Sequence, residues 1–258
     1  MQRLNQPFDE RLKLLESESA LVNSRDDLYM ELIRVQNQMG NAAKSIELLK
    51  THRFTPCEGG EHELVDLWIF AHFSLGREAF RKGNFQKALE YFQAAQVFPE
   101  NLGAGIWNES FAIPSRYYEA RCLTELGQQT QAAGIYCAIA NSGTDSFTYM
   151  YQPAFDCYRA MAFMAMGRCG DGQQLLEQCL AKWDEEKRKP DYGYFKATPF
   201  WLSYMENPAT ARAQHYEYLI GMASTALGQK ERAAKAFEEV IAINSGHCWA
   251  RIELEILK

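Results

Sequence analysis

Two glutamates and a row of arginines are the residues whose spacing is suited to chemistry or binding. Glu58 and Glu61 flank two glycines between two predicted helices. Paired carboxylates perform acid–base chemistry on sugars in glycosidases. The same segment also fits a simpler structure, in which the glycines turn the chain and the glutamates cap the next helix, whose N-terminus favours negative charge. Both interpretations stay open on the sequence alone.

Three arginines recur at equivalent places. Arg34, Arg77 and Arg121 each lie six residues before a glycine that predicts a turn. Equivalent first-helix positions of a stacked array line one face, so the guanidinium groups would be spaced on the order of 10 Å apart along a groove. Such a row suits an anionic peptide or another anion. The alternative is local pairing, since Arg34 can reach a glutamate three residues earlier and Arg121 one four residues later.

Metal, cofactor and catalytic motifs are not predicted. His52, Cys57 and His62 lie close together with Glu58 and Glu61, but their spacing matches no zinc signature. The sequence contains no P-loop, no dinucleotide-binding glycine motif and no nucleophile elbow. We therefore expect no cofactor, no metal and no catalytic residue, and expect that this chain alone is not an enzyme.

The elements that must position these residues are helical hairpins. A small or apolar residue is followed after seven positions by Gly, and after five more by a small residue, in five copies centred on Gly40, Gly83, Gly127, Gly167 and Gly228. Glycine ends a helix readily in the left-handed conformation, and small residues let two helices approach closely. The pattern predicts an all-α fold, an α-α superhelix of about five stacked hairpins.

The predicted hairpins share one order, an apolar helix, the turn glycine and a second helix. They cover residues 26–51, 64–97, 113–140, 152–185 and 209–243 of a single solenoid, 1–258. An amphipathic helix at 8–19 and a helix at 247–257 cap the ends, the latter through a stripe of Trp249, Ile252 and Ile256. Residues 186–208 form an aromatic insertion that should pack on the array. The Glu100–Asn101 loop and the Glu58–Glu61 loop both follow second helices, so they should share one edge.

Composition narrows the partners. The net charge is −6 and argues against nucleic acid. No apolar stretch approaches the roughly 20 residues needed to span a bilayer, and the N-terminal segment lacks a secretory signal, so we expect a cytoplasmic location. Seven cysteines without a C-x-x-C pair are typical of reduced thiols, several of them in helix cores.

These residues resemble tetratricopeptide repeats. More narrowly, the chain resembles the C-terminal helical region of a bacterial family, number 5107 among domains of unknown function. The resemblance rests on RDDLY (25–29), RFTPCEGGE (53–61) and FPENLG (98–103), with weaker support from DYGYF (191–195) and the His247 region. It implies a sugar-enzyme-like, β-rich neighbouring domain, which this sequence lacks. Cys57 and His62 depart from the aromatic residue and the glycine expected there.

The sequence thus predicts a non-catalytic scaffold that binds a protein or peptide, anionic in part, in its concave groove. Arg34, Arg77 and Arg121 would supply charge, and Phe73, Tyr117 and Tyr218 aromatic contacts. The alternative is the helical portion of a carbohydrate-active enzyme, whose loops with Glu58, Glu61, Glu100 and Asn101 help line a sugar site. Self-association through the aromatic part of the insertion, residues 192–204, is a third possibility.

Overall fold

The five glycines that predicted turns all adopt the left-handed conformation in the computed structural model, with φ between 73° and 81°. At each one the glycine N–H bonds to the carbonyl three residues back. The following N–H bonds to the carbonyl five residues back, as Asn41 does to Gln36 at 2.9 Å and Gln128 to Leu123 at 2.8 Å. This is the Schellman arrangement, which satisfies the last carbonyls of a helix and turns the chain. The hairpin turns follow directly from these residues.

The structure describes residues 6–55, 61–105, 109–142, 154–189 and 208–257, except for the side chains of 61, 62, 109, 110 and 208. The described residues form thirteen α-helices and no strand. The helices are α1 (Phe8–Ser17), α2 (Ser19–Ser24), α3 (Asp26–Gln38), α4 (Ala42–Thr51), α5 (Glu61–Arg81), α6 (Phe85–Ala94), α7 (Ile113–Glu125), α8 (Gln129–Ala140), α9 (Phe155–Ala165), α10 (Cys169–Arg188), α11 (Pro208–Ala226), α12 (Lys230–Ile243) and α13 (Cys248–Leu257). The predicted all-α solenoid class is confirmed.

Two compact units divide the chain, residues 1–135 and residues 136–258. In the first unit, α3 packs on α1, α2, α4 and α5, and α6 packs between α5 and α7. In the second, α10 packs on α9 and α11, and α12 packs on α11 and α13. The single solenoid over 1–258 stays a prediction.

Small residues sit where the helices of a hairpin come closest. A Cβ atom added to Gly76 would lie 2.6 Å from the ring of Phe92, and one added to Gly221 would lie 2.6 Å from the ring of Phe237. Phe92 and Phe237 occupy the same place, nine residues after the turn glycines Gly83 and Gly228, and both are fully buried. At these two positions glycine leaves room for a partner ring, and the close approach of the two helices is what the spacing predicted.

The terminal helices differ in detail from the sequence prediction. The N-terminal helix is broken into α1 and α2. In α13 the buried positions are Ala250 and Glu253, while Ile256 is 44% exposed. The buried face of α13 is thus rotated by about one residue from the stripe of Trp249, Ile252 and Ile256 that the sequence predicted. The small side chain of Ala250 is fully buried and permits close packing at this face.

Within the described ranges, no helix combines the length and the apolar character that a bilayer crossing requires. Of the predicted insertion, 186–208, residues up to Arg188 extend α10, and 190–207 lie outside the described residues.

Candidate functional site

Arg34 is neutralised by two glutamates. Its guanidinium donates to Glu31 at 2.6 Å and to Glu63 at 3.1 Å. Glu31 is on the same helix, α3, and Glu63 is at the start of α5. The local pairing considered from the sequence is therefore what this arginine does, with a second carboxylate added from the neighbouring hairpin.

Arg77 and Arg121 have a different environment, a shared tyrosine. The guanidinium carbon of Arg77 lies 4.3 Å from the ring centre of Tyr118, and that of Arg121 lies 5.3 Å from it. Arg77 also contacts the ring of Phe73 at 5.4 Å, and Arg121 that of Phe80 at 4.6 Å. We call Arg77, Tyr118 and Arg121 the arginine–tyrosine cluster. Helices α5 and α7 position it within the first unit.

The cluster holds its two cations at different depths. Arg77 is 8% exposed and takes part in further interactions, whereas Arg121 is half-buried. Among the described residues Arg121 has no carboxylate within ion-pair distance, and the expected pair with Glu125 does not form. A guanidinium over an aromatic face is attracted to the ring, and this contact does not use up the N–H donors that can bind other acceptors. Arg121 thus keeps a half-buried guanidinium that no carboxylate among the described residues neutralises.

The three aromatic residues expected to face a partner lie inside the helix packing. Phe73 is fully buried against Phe92 and Tyr118, with ring centres 5.7 and 5.3 Å away. Tyr117 is 7% exposed, and its ring meets that of Tyr118 edge-on at 5.5 Å. Aromatic rings bury a large apolar area between helices, so packing in the interior is more favourable for these side chains than exposure on a groove.

Tyr218, in the second unit, is 8% exposed. Its ring centre lies 6.0 Å from that of Phe237 and 5.0 Å from that of His247. Like Phe73 and Tyr117, it serves the interior of its own unit in this conformation.

Asn101 joins two junction segments. Its side-chain amide donates to the main-chain carbonyls of Leu49 at 2.7 Å and His52 at 2.6 Å. The main-chain carbonyl of Asn101 accepts from the N–H of Phe54 at 2.8 Å. Glu100 and Asn101, predicted to lie in a loop, belong to a short 3-10 helix, Glu100–Leu102, which thus caps the C-terminal end of α4. It touches the chain up to Phe54, a few residues before the glutamate pair. Glu58 lies outside the described residues, as does the side chain of Glu61.

An aspartate–histidine pair lies at the segment that follows α4, close to Asn101, and was not predicted. Asp26 accepts from the ring of His52 at 2.7 Å and from the N–H of Thr55 at 2.8 Å. The His52 ring stacks on Tyr29 at 3.9 Å between ring centres and meets Phe54 edge-on at 4.6 Å. Burial raises the pKa of Asp26, but the hydrogen bonds from His52 and Thr55 outweigh it and hold the pKa below its usual value. The pair fixes the start of the junction that follows α4.

His72 on α5 is a second polar residue that sequence reasoning missed. It is 4% exposed, and neither ring nitrogen has a hydrogen-bond partner in the part of the chain that the structure describes. Its ring lies 4.4 Å from that of Trp68 and 6.4 Å from that of Tyr91. Burial, followed by the charge of Lys50, lowers its pKa to about 4. No sequence signal distinguishes a buried histidine with unpaired nitrogens from a hydrogen-bonded or exposed one on the same helix face.

No metal site is assembled by the described residues, among which no group of three or more His, Cys, Asp or Glu side chains is placed to hold an ion. Cys57 and the side chain of His62 lie outside that part of the chain. The six described cysteines are free thiols. Burial raises the pKa of Cys122 and of Cys179 to about 12, so these thiols stay protonated and pack as small apolar groups.

Comparison with known protein families adds one match. Residues 218–247 match the tetratricopeptide repeat. The stretch runs from within α11 through α12 to the residue before α13, and it includes the turn glycine Gly228. No solved structure matches the chain. The match supports a tetratricopeptide-like protein, built from the hairpins that the glycine spacing predicted.

Proposed function

We propose that this chain is a non-catalytic interaction protein that binds an anionic protein or peptide partner through α5 and α7 of its first unit. The repeat matched at residues 218–247 supports a role in protein–protein interaction, which such repeats generally serve. The observation that carries the choice of surface is the arginine–tyrosine cluster. Of the arginines predicted to line a groove, Arg121 alone is half-buried without a carboxylate partner in the described chain.

The physical argument concerns preorganisation. An arginine side chain loses conformational freedom when it binds, and this costs part of the affinity. The contacts with Phe80 and Tyr118 already restrict Arg121, so less is lost on binding. Arg77 contacts the same tyrosine, and the charge that attracts the anion is that of Arg121. A carboxylate or phosphate on the partner fits this charge and the bidentate geometry of guanidinium.

The test compares two arginines of the first unit. Binding of a labelled octaglutamate peptide is measured by fluorescence anisotropy for the wild type, Arg121→Glu and Arg81→Glu. Arg81 is exposed at the last turn of α5, so its reversal changes the net charge equally. We expect at least a tenfold loss of affinity for Arg121→Glu and less than a twofold loss for Arg81→Glu. Equal losses would mean that net charge alone attracts the peptide, and would refute the proposed site.

The second function expected from the sequence, a helical part of a carbohydrate-active enzyme, rests on the resemblance to domain family 5107. We keep that relation, the cytoplasmic location and self-association through residues 192–204 as predictions. The donors of Asn101 are already used by the carbonyls of α4, which favours a structural role for its loop. Glycosidase assays with Glu58→Gln and Glu61→Gln, in the presence of a β-rich neighbouring domain, test the enzyme hypothesis.

A further inference from the structure

The bend between α1 and α2 occurs in a sequence that contains no helix breaker. Residues 8–24, FDERLKLLESESALVNS, include neither glycine nor proline and are rich in good helix formers. The helical hydrogen bonds run up to Glu18 N–H, which donates to Leu14 at 3.2 Å, and resume when Val22 N–H donates to Glu18 at 2.9 Å. Glu18 itself has φ −104° and ψ 31°, away from helical values. The interruption thus concerns the amides of residues 19–21. No glycine or proline requires it, and the local competitor is the hydroxyl of Ser17, which donates to the Leu14 carbonyl at 2.8 Å.

Contacts with α3 hold the bend. Arg11, on α1, is only 2% exposed, and its guanidinium donates to Gln38 at 2.8 Å and to Glu31 at 2.5 Å. One turn later Leu15 is buried in the core of the first unit. These two residues fasten α1 to α3, while Val22 fastens α2 to the same core independently. If α1 left α3, α2 could stay in place.

A straight helix over residues 8–24 is therefore a competing state. It would restore the interrupted backbone hydrogen bonds and extend about 25 Å. It would also remove Arg11 from Glu31 and expose Leu15, which is unfavourable within one molecule. A second copy supplies the same Glu31, Gln38 and core, so the lost contacts can form again between molecules.

The exposed leucines of this segment agree with such a state. Leu14 is 46% exposed and Leu21 is 48% exposed, and they are among the few large apolar side chains with that exposure in the described chain. They are seven residues apart, so a straight helix would place them on one face, two turns apart. In the bent form they belong to separate helices and remain open to solvent.

We propose that α1 is an exchangeable arm: the helix straightens at Glu18, and the arms of two copies dock reciprocally on each other's α3 through Arg11 and Glu31. The product is a closed, two-fold dimer, and its partner is a second copy of this chain. The proposal is independent of the anion-binding function, because the arginine–tyrosine cluster takes no part in it.

Charge reversal distinguishes docking within one molecule from docking between two. Arg11→Glu and Glu31→Arg each place like charges at the contact in the bent form. In a mixture, the arm of the Arg11→Glu variant meets the new arginine on α3 of the Glu31→Arg variant, and the other arm forms the wild-type contact. We expect each variant alone to be monomeric by sedimentation velocity, with its arm cut at least tenfold faster by limited proteolysis. The equimolar mixture should give a dimer and regain protection.

The matched control is the double variant Arg11→Glu/Glu31→Arg, which restores an Arg–Glu pair between α1 and α3 within one chain, leaves Arg34 with Glu63, and should be protected as a monomer at low concentration. A mixture that stays monomeric while this double variant is protected would overturn the proposal. The hinge gives a second test that leaves the contact intact. Ser17→Ala/Glu18→Ala should raise the dimer fraction severalfold at a given concentration, and Glu18→Gly should lower it. Equal dimer fractions for the two hinge variants would also overturn it.

Discussion

Gly76 is the residue at which the packing argument can be tested most sharply, by replacing it with alanine. The added Cβ would lie 2.6 Å from Cε1 of Phe92, although ordinary contact begins near 3.4 Å, so the ring or the helix must move by about 0.8 Å. Phe92 is fully buried, and overpacking of this kind costs about 1–3 kcal/mol. Alanine is better than glycine inside a helix by about 1 kcal/mol. We expect a net loss of about 1 kcal/mol in the free energy of unfolding.

A double-mutant cycle with Phe92→Leu separates the two contributions. The smaller side chain leaves room for the Cβ, so Gly76→Ala should stabilise the Phe92→Leu protein by up to about 1 kcal/mol. The control is Gly83→Ala, in the same hairpin. Its Cβ would meet nothing within 4 Å, but φ is +74°, which costs an alanine about 1 kcal/mol net.

The free energy of unfolding of each variant is measured by urea unfolding, followed by circular dichroism. If more than one transition is seen, the one that both Gly76→Ala and Phe92→Leu shift is used. Gly83→Ala should be destabilising by the same amount in both backgrounds. The reasoning would be refuted if Gly76→Ala had the same effect in the wild type and in the Phe92→Leu protein, because the close approach would then not be what the glycine serves.

Three further predictions concern the polar residues of the first unit. Burial depresses the pKa of His72 to about 4, so burying the ring carries no charge penalty above pH 6.5, and stability is lost as the pH falls from 6.5 towards 4 because the unfolded chain then binds a proton that the folded one does not. His72→Phe should reduce this acid loss of stability by about 3 kcal/mol at pH 4, and an unchanged pH profile of urea unfolding would contradict this. The pKa of Asp26 is also lowered, but for a carboxylate the stabilisation exists above its ordinary pKa and is lost as the pH falls through the folded value. Asp26→Asn should therefore cost about 1–2 kcal/mol at pH 7, and this cost should shrink as acid protonates the carboxylate, as thermal unfolding at several pH values would show. Asn101→Asp should destabilise at least as much as Asn101→Ala, by about 1–3 kcal/mol, because a carboxylate cannot donate to the carbonyls of Leu49 and His52; a smaller loss for Asp in the same melts would argue against the cap.

The hairpins could be predicted because their signals are local. A glycine ends a helix because its own backbone adopts the left-handed conformation. The small residue seven positions earlier contacts the helix that follows the turn. Both effects lie within one hairpin, so spacing alone reveals them, and Gly40 and Gly228 adopt the expected conformation. The break at Glu18 could not be predicted in this way, because α1 contacts α3 through Arg11, Glu31 and Gln38, residues 20 and 27 positions apart in the sequence.

The candidate site was predicted less completely, since its chemistry depends on contacts between hairpins. The sequence placed Arg34 and Arg121 at equivalent positions, but only the fold shows that Glu63 neutralises the first and that Tyr118 supports the second. The Asp26–His52 pair joins residues from the start of α3 and the end of α4. No spacing rule connects residues 26 positions apart in that way.

Equivalence in a repeat therefore fixes where a side chain points along its own helix, but its neighbours decide what the side chain can do. The position six residues before the turn glycine holds the ion-paired Arg34 in the first hairpin and a buried Met222 in the last. In the second and third hairpins it holds Arg77 and Arg121, which lie over aromatic rings. A charge that is already satisfied contributes to stability, and binding would first have to break its pair. A charge supported by an aromatic ring without a carboxylate is available at no such cost. Under the proposed binding function, specificity should accordingly follow the differences among the repeats, and Arg121→Glu tests the difference on which that proposal depends.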